Sequence, residues 1–160
     1  MNQSPTAVTV SATEPLPRGC TNFLLHQLVR RMDRLYDAEL AKAGLKTTQY
    51  SLLSHVVRLG PVSPGGLAQA MKMQPSTLTR NLRPLVLAGW VEIGVGDDAR
   101  SRRVTTTGDG RAKHLQGQRH WKRVQQRVNR LLGDDNVVAL HRQLAHVMDT
   151  VGADATNGEA

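Results

Sequence analysis

Ser63-Pro64-Gly65-Gly66-Leu67-Ala68-Gln69-Ala70-Met71, continued by Met73-Gln74-Pro75-Ser76-Thr77-Leu78-Thr79-Arg80-Asn81-Leu82-Arg83, is the stretch whose reading decides the fold. The first string reads as a capped helix start followed by an apolar face, the second as a turn and another helix. Gly89-Trp90-Val91-Glu92-Ile93 follows as a helix stop and a strand. Asp97-Asp98-Ala99-Arg100-Ser101-Arg102-Arg103-Val104-Thr105-Thr106 then gives a basic hairpin tip and its return strand. Helix, turn, polar-faced helix and basic hairpin compose a winged helix-turn-helix. That arrangement lays one helix in a DNA major groove and sets an arginine tip beside it.

Working outward, residues 20–43 form a first long helix, with Leu25, Leu28, Met32 and Leu35 recurring every three to four positions. Gly44 ends it. Thr47 is expected to cap a second helix stopped by Gly60-Pro61, and Ser63 the third, with Pro64 in the favoured first turn. In the fourth helix, from about Pro75 to Ala88, Leu78, Leu82 and Leu85 share one face. Ser76, Arg80 and Arg83 point the other way, flanked by Thr77 and Thr79. Pro84 removes a hydrogen bond from this helix, so a kink or loosened turn is expected there. Thr107 caps a fifth helix over 107–132, with Leu115, Trp121, Val124, Val128 and Leu131 inside. A sixth helix covers 135–151 in a near-heptad rhythm. The fold class is mainly α with a small β-hairpin wing. The winged unit spans about 45–106 and the flanking dimerisation helices 20–43, 107–132 and 135–151, all within one domain over 18–152. Residues 1–17 read as a disordered tail and 153–160 as a frayed end.

The formal charge of +8 and a pI of about 10.6 favour a polyanionic partner. Ten Arg and Lys residues between Arg100 and Arg130 face Asp109 alone, although a solvated helix face is the ordinary reading of such a run. One cysteine excludes an internal disulfide framework and fits a reducing cytoplasm. No apolar run is long enough to span a bilayer, and Met1 to Pro17 lacks an apolar signal core.

The order of elements resembles the MarR family of bacterial transcriptional regulators from Cys20 to Val151. The residues that carry the resemblance are Gly44-Leu45-Lys46-Thr47-Thr48-Gln49-Tyr50, Leu67-Ala68, Ser76-Thr77-Leu78-Thr79-Arg80, Leu85 through Gly89-Trp90-Val91, Asp98-Ala99-Arg100-Ser101-Arg102, and Thr107 with Gly110. Three departures stand out: Thr106 where the family usually has Leu, Gly65-Gly66 in the third helix, and Pro84. The resemblance implies a homodimer on a palindromic double-stranded operator, usually a repressor, released by a small-molecule effector. It also implies an effector pocket between the dimerisation helices and the winged domain, for which His26, Arg30, Tyr50 and His55 are the candidates.

Ser76, Thr77, Thr79, Arg80 and Arg83 are the expected major-groove residues, because Arg takes guanine bidentately and Ser or Thr meets phosphates, base edges or a thymine methyl. Arg100 and Arg102 suit a minor groove or phosphate, Arg103 is a further wing residue that can support instead, and Asp98 is expected to fix the wing turn. Cys20 opens the first helix, where thiols can be activated. It lies farther from Leu35-Tyr36 than the pattern of the family's hydroperoxide-sensing branch, and the tyrosines expected near the thiol are missing. A structural cysteine is the reading, with redox sensing as the alternative. The six histidines form no metal pair, no cofactor is implied, and no catalytic constellation supports an enzyme. A rival class is a chromosome-organising protein that binds DNA with little sequence preference.

Overall fold

A computed structural model describes residues 19–96 and 101–157. The elements run α1 (Thr21–Leu40), a short 3-10 turn (Ala41–Ala43), α2 (Thr47–Leu59), α3 (Pro64–Ala70), α4 (Pro75–Leu87), β1 (Val91–Val95), β2 (Arg102–Thr106), α5 (Gly108–Leu132) and α6 (Asp134–Asn157). The mainly helical winged helix-turn-helix expected from the pattern is the fold observed. Among the described residues no helix is long and apolar enough to cross a membrane. The tail at 1–17, Asp98 and Arg100 lie outside the described residues, as do 158–160.

The caps explain most of the boundaries. Ser63 Oγ accepts the Gly66 amide at 3.0 Å and opens α3, with Pro64 at the first helical position. Thr107 Oγ1 accepts the Gly110 amide at 3.0 Å and opens α5. Gly44 takes φ +64°, the left-handed stop that only glycine adopts without penalty. The cap of α2 differs from expectation. Thr47 is the first helical residue rather than the cap, and both its amide and its hydroxyl donate to Asp37 Oδ1 at 2.7 Å. A carboxylate ten residues upstream on α1 therefore satisfies this helix start.

One core lies under the winged unit. Leu52, Leu53 and Val56 of α2 meet Leu67 of α3, Leu78, Leu82 and Leu85 of α4, and Val91 and Val104 of the wing. α4 runs as one helix to Leu87 with Pro84 inside it, flanked by the buried Leu82 and Leu85. The antiparallel wing pairs Val91 with Thr106 and Val95 with Arg102. Val62 adds a one-residue bridge, exchanging both backbone hydrogen bonds with Val104 at 2.8 and 3.1 Å. Thr106 is buried despite its hydroxyl, and its carbonyl accepts from Arg111 at 3.0 Å.

The flanking helices bury less than their apolar content predicts. On α5, Val124 and Val128 are buried, whereas Leu115, Trp121 and Leu131, expected inside, are exposed. Among the described side chains α6 buries only Val137, and it continues past the expected end at 151 to Asn157. On α1, Phe23, Leu24, Leu25, Leu28 and Val29 are all exposed. Their stripes face away from the core of their own chain.

Two glycines should respond oppositely to alanine. A Cβ on Gly110 would sit 1.9 Å from the Trp90 carbonyl oxygen, backbone that cannot step aside, whereas one on Gly65 meets nothing within 4 Å. Gly110→Ala is expected to cost about 2 kcal/mol or more, and Gly65→Ala to add about 0.5–1 kcal/mol by raising helix propensity. Urea unfolding midpoints of the two variants check both signs.

Candidate nucleic-acid interface and an adjoining cavity

The division of α4 into two faces follows from its sequence. Pro75 fills the first helical position, where its missing N–H costs nothing, and the leucines at 78, 82 and 85 are drawn into the core. The opposite face is left to polar side chains: Ser76, Thr79, Arg80 and Arg83 are exposed and Thr77 is half-buried. Thr79 donates its hydroxyl hydrogen to the Pro75 carbonyl at 2.9 Å, so outward its oxygen can only accept. Arg80 and Arg83 have no hydrogen-bond or ion-pair partner among the described residues. Ser76, Thr79, Arg80 and Arg83 line one groove of about 580 Å³ that reaches Pro64 and Ile93. The structure therefore gathers four of the five expected reading residues on one open surface. Five guanidinium donors on each arginine, unspent internally, are what recognition of bases or phosphates needs.

In the wing, Arg102 is exposed at the start of β2, while Arg103, opposite Gly94, is half-buried and already engaged. The turn before α4 holds a feature that the sequence did not disclose. Lys72 has φ +52°, the only positive φ at a non-glycine among the described residues. It lies exposed between the two helices of the motif.

Behind this surface, α1, α2 and α5 line an open cavity of about 570 Å³. Tyr50 and His55, two of the four candidates for an effector pocket, line it. His26 and Arg30 are exposed on the N-terminal half of α1 and are not among its walls. The rest of the wall includes Tyr36, Arg58, His114 and Trp121, which the sequence reading passed over or assigned to the core. Tyr50 stacks on His114 at 5.6 Å and 5°, and on Trp121 at 6.4 Å and 28°. Gly117 makes the stack possible, since a Cβ there would fall 2.7 Å from the Tyr50 ring. The signal available in the sequence was the spacing His114, Gly117, Gln118 and Trp121, one helical face carrying a gap between rings.

Burial sets the electrostatics of this wall. It raises the Tyr50 and Tyr36 phenols above their ordinary value and lowers the His114 imidazole below its own. Beyond the cavity, Glu39 Oε2 meets Lys42 at 2.5 Å and Oε1 meets His120 at 2.9 Å. The hydrogen bond from Lys42, then that from His120, holds the Glu39 carboxyl at about 2. Cys20 is exposed at the N-cap of α1, with no side-chain capping bond.

The chain matches the model of the MarR family over residues 43–101. It is similar to the multiple antibiotic resistance protein MarR of Salmonella typhimurium, at 28% identity over 137 residues that cover 84% of this chain and 93% of that protein. It is also 27% identical over 94 residues to an uncharacterized HTH-type transcriptional regulator, YwoH, of Bacillus subtilis, covering 57% and 69% of the two chains. The transcriptional regulator MosR of M. tuberculosis, solved in complex with DNA, superposes with a TM-score of 0.76 at 28% identity, over 84% of this chain and 98% of that one. A mutant MarR from E. coli complexed with operator DNA gives 0.73 at 27%, over 79% and 92%.

Two separate losses of stability are expected on the acid side. Below about pH 6.5 the unfolded chain takes up a proton that half-buried His114 resists, so stability falls as pH drops from 7 toward 5. The Glu39 contribution is complete above about pH 4.5 and disappears as pH falls toward 2. His114→Phe should flatten the first slope and Glu39→Gln the second, read as unfolding midpoints against pH. An unchanged slope in either variant contradicts the assignment.

Proposed function

We propose that this chain, a DNA-binding transcriptional regulator of the MarR family, acts as a homodimeric repressor on a palindromic operator and is released from it by a small-molecule effector. The observation that carries the reading is the split face of α4: three leucines buried in the core, and Arg80 and Arg83 open and unpartnered among the described residues beside Ser76 and Thr79. In this reading α4 enters the major groove, where Arg80 addresses base edges and Ser76 and Thr79 serve as phosphate or base contacts. The wing, with Arg102 exposed at the start of β2, lies along the backbone or the minor groove, where Arg100 and Asp98, which precede it in sequence, would also contribute. Lys72, in the turn, adds a phosphate contact.

Dimerisation is supported by apolar surface that one chain leaves open. Phe23 is 56% exposed, Leu131 66% and Met148 66%, an uncovered area larger than a lone chain tolerates well. Joining α1, α5 and α6 about a two-fold axis covers it and presents two reading helices to successive turns of the duplex. Effector release is supported by the position of the cavity. One of its walls is α2, and the opposite side of α2 packs on α4. A ligand against Tyr50, His55 and Arg58 therefore presses on the element that seats the reading helix. The regulator acts in the cytoplasm on nucleoid DNA.

The experiment is a pair of binding isotherms at two salt concentrations, on a duplex selected by the protein from a random pool and on unselected duplex. A regulator keeps a large preference for the selected duplex in the presence of random competitor, and a chromosome-organising protein does not. Arg80→Ala should cost about 1–3 kcal/mol on the selected duplex and relax preference at one position per half-site. Arg102→Ala should weaken both duplexes alike and reduce the salt slope by about one. Equal weakening of both duplexes by Arg80→Ala, with preference intact, removes α4 as the reader. Sedimentation of the free protein at micromolar concentration should give the dimer, and a monomer refutes the assembly.

A further inference from the structure

A second concavity lies apart from both the α4 groove and the α2 cavity. It is a cleft of about 350 Å³ between α1 and α5, and its walls include four cationic side chains, Lys42, Arg123, Arg127 and Arg130, against the single carboxylate of Glu39. Spacings of four and three residues put the three arginines on one face of α5, turned toward α1. Glu39 does not offset them all. Its oxygens are engaged by Lys42 at 2.5 Å and His120 at 2.9 Å, with Arg123 at 3.8 Å. Arg127 and Arg130 have no acceptor among the described residues. Like charges one helical turn apart repel, so an arrangement that stacks them in a recess is favoured when an anion occupies it. Leu35, Ala38 and Val124 supply the apolar part of the wall, which strengthens any charge interaction made against it.

We propose that this cleft is a binding site for a compact polyanion of the di- or triphosphate class, held by Arg127 and Arg130 with Arg123 and Lys42. Arginine forks match pairs of phosphate oxygens, and three of them along one helix face suit a chain of linked phosphates better than a single monovalent anion. The size of the recess fits a small molecule rather than a duplex backbone. The site draws on neither the operator reading nor the effector cavity.

The test is calorimetric titration of the full chain with tripolyphosphate at constant ionic strength. Saturable binding at one site per chain is expected, weakened at least tenfold in the Arg127→Ala/Arg130→Ala double variant. An Arg119→Ala/Lys122→Ala variant, which removes the same charge from exposed positions of α5 outside the cleft, should bind within twofold of the parent. Alanine is a stronger helix former than the residues replaced, and a thermal melt by circular dichroism confirms that both variants are folded. Titration with ATP separates the two sources of the phosphate chain: tighter binding than tripolyphosphate identifies a nucleotide, and equal binding identifies the free phosphate chain. Absence of saturable binding overturns the proposal, as does equal weakening in the two double variants, which means diffuse charge. A loss of duplex affinity confined to the Arg127→Ala/Arg130→Ala variant overturns it too, because the cleft is then a DNA contact.

Discussion

One threonine hydroxyl holds the two halves of the molecule together. Thr107 Oγ1 donates to the Gly89 carbonyl at 2.6 Å, where α4 has just ended, and accepts the Gly110 amide at 3.0 Å, where α5 begins. Its own amide reaches the Trp90 carbonyl at 3.2 Å. Three hydrogen bonds around one residue thus fix the exit of α4, the root of the wing and the start of α5 relative to one another. Gly110 is part of the same constraint, since the Trp90 carbonyl occupies the space a side chain would need. One turn further along, Lys113 lies 5.0 Å from the centre of the Trp90 ring and donates to the Ala43 carbonyl at 2.9 Å, which brings the end of α1 into the junction.

Given that junction, α2 becomes the element with two duties. Leu52, Leu53 and Val56 belong to the core beneath α4, while Tyr50, Ser54, His55 and Arg58 face the cavity. The partition is one helix thick, and its start is fastened by Asp37 of α1, which accepts from Thr47, together with its own Gln49, whose Oε1 accepts the Lys46 amide at 2.9 Å. α2 therefore touches the pocket on one side and the core beneath α4 on the other. The neighbouring polar ladder from Tyr36 through Gln125 to Asn129 keeps α1 and α5 in register beside it.

Local chemistry was legible in the sequence and distant chemistry was not. Ser63, Thr107 and Gly44 announce helix ends through contacts with residues no more than three or four positions away, and all three do what their types suggest. The two faces of α4 follow from periodicity alone. The cap of α2 was misplaced because its acceptor, Asp37, comes from another helix. Pro84 is accommodated inside α4, between Leu82 and Leu85, which are both buried in the core. The Val62–Val104 bridge leaves no pattern, being a single residue pair. Leu115 and Leu131 read as core because apolar spacing does not distinguish a buried face from an exposed one, and Trp121, also exposed, lies against Tyr50 at the pocket. The polar residues of α4 are exposed as their spacing suggests, and Tyr50 and His55 line the pocket while His26 and Arg30 do not; its other walls come from α1 and α5, where Gly117 leaves only a gap as its signature.

The sequence contains two tryptophans, and the fold has put them at different working points. Trp90 lies under the Lys113 amine at the junction of the winged unit with α5, and Trp121 lines the cavity against Tyr50. Their surroundings differ in polarity and in access to solvent, so their emission maxima and quenching should differ as well. The protein thus carries two intrinsic optical reporters, one sensitive to the angle between its halves and the other to what occupies the space between them.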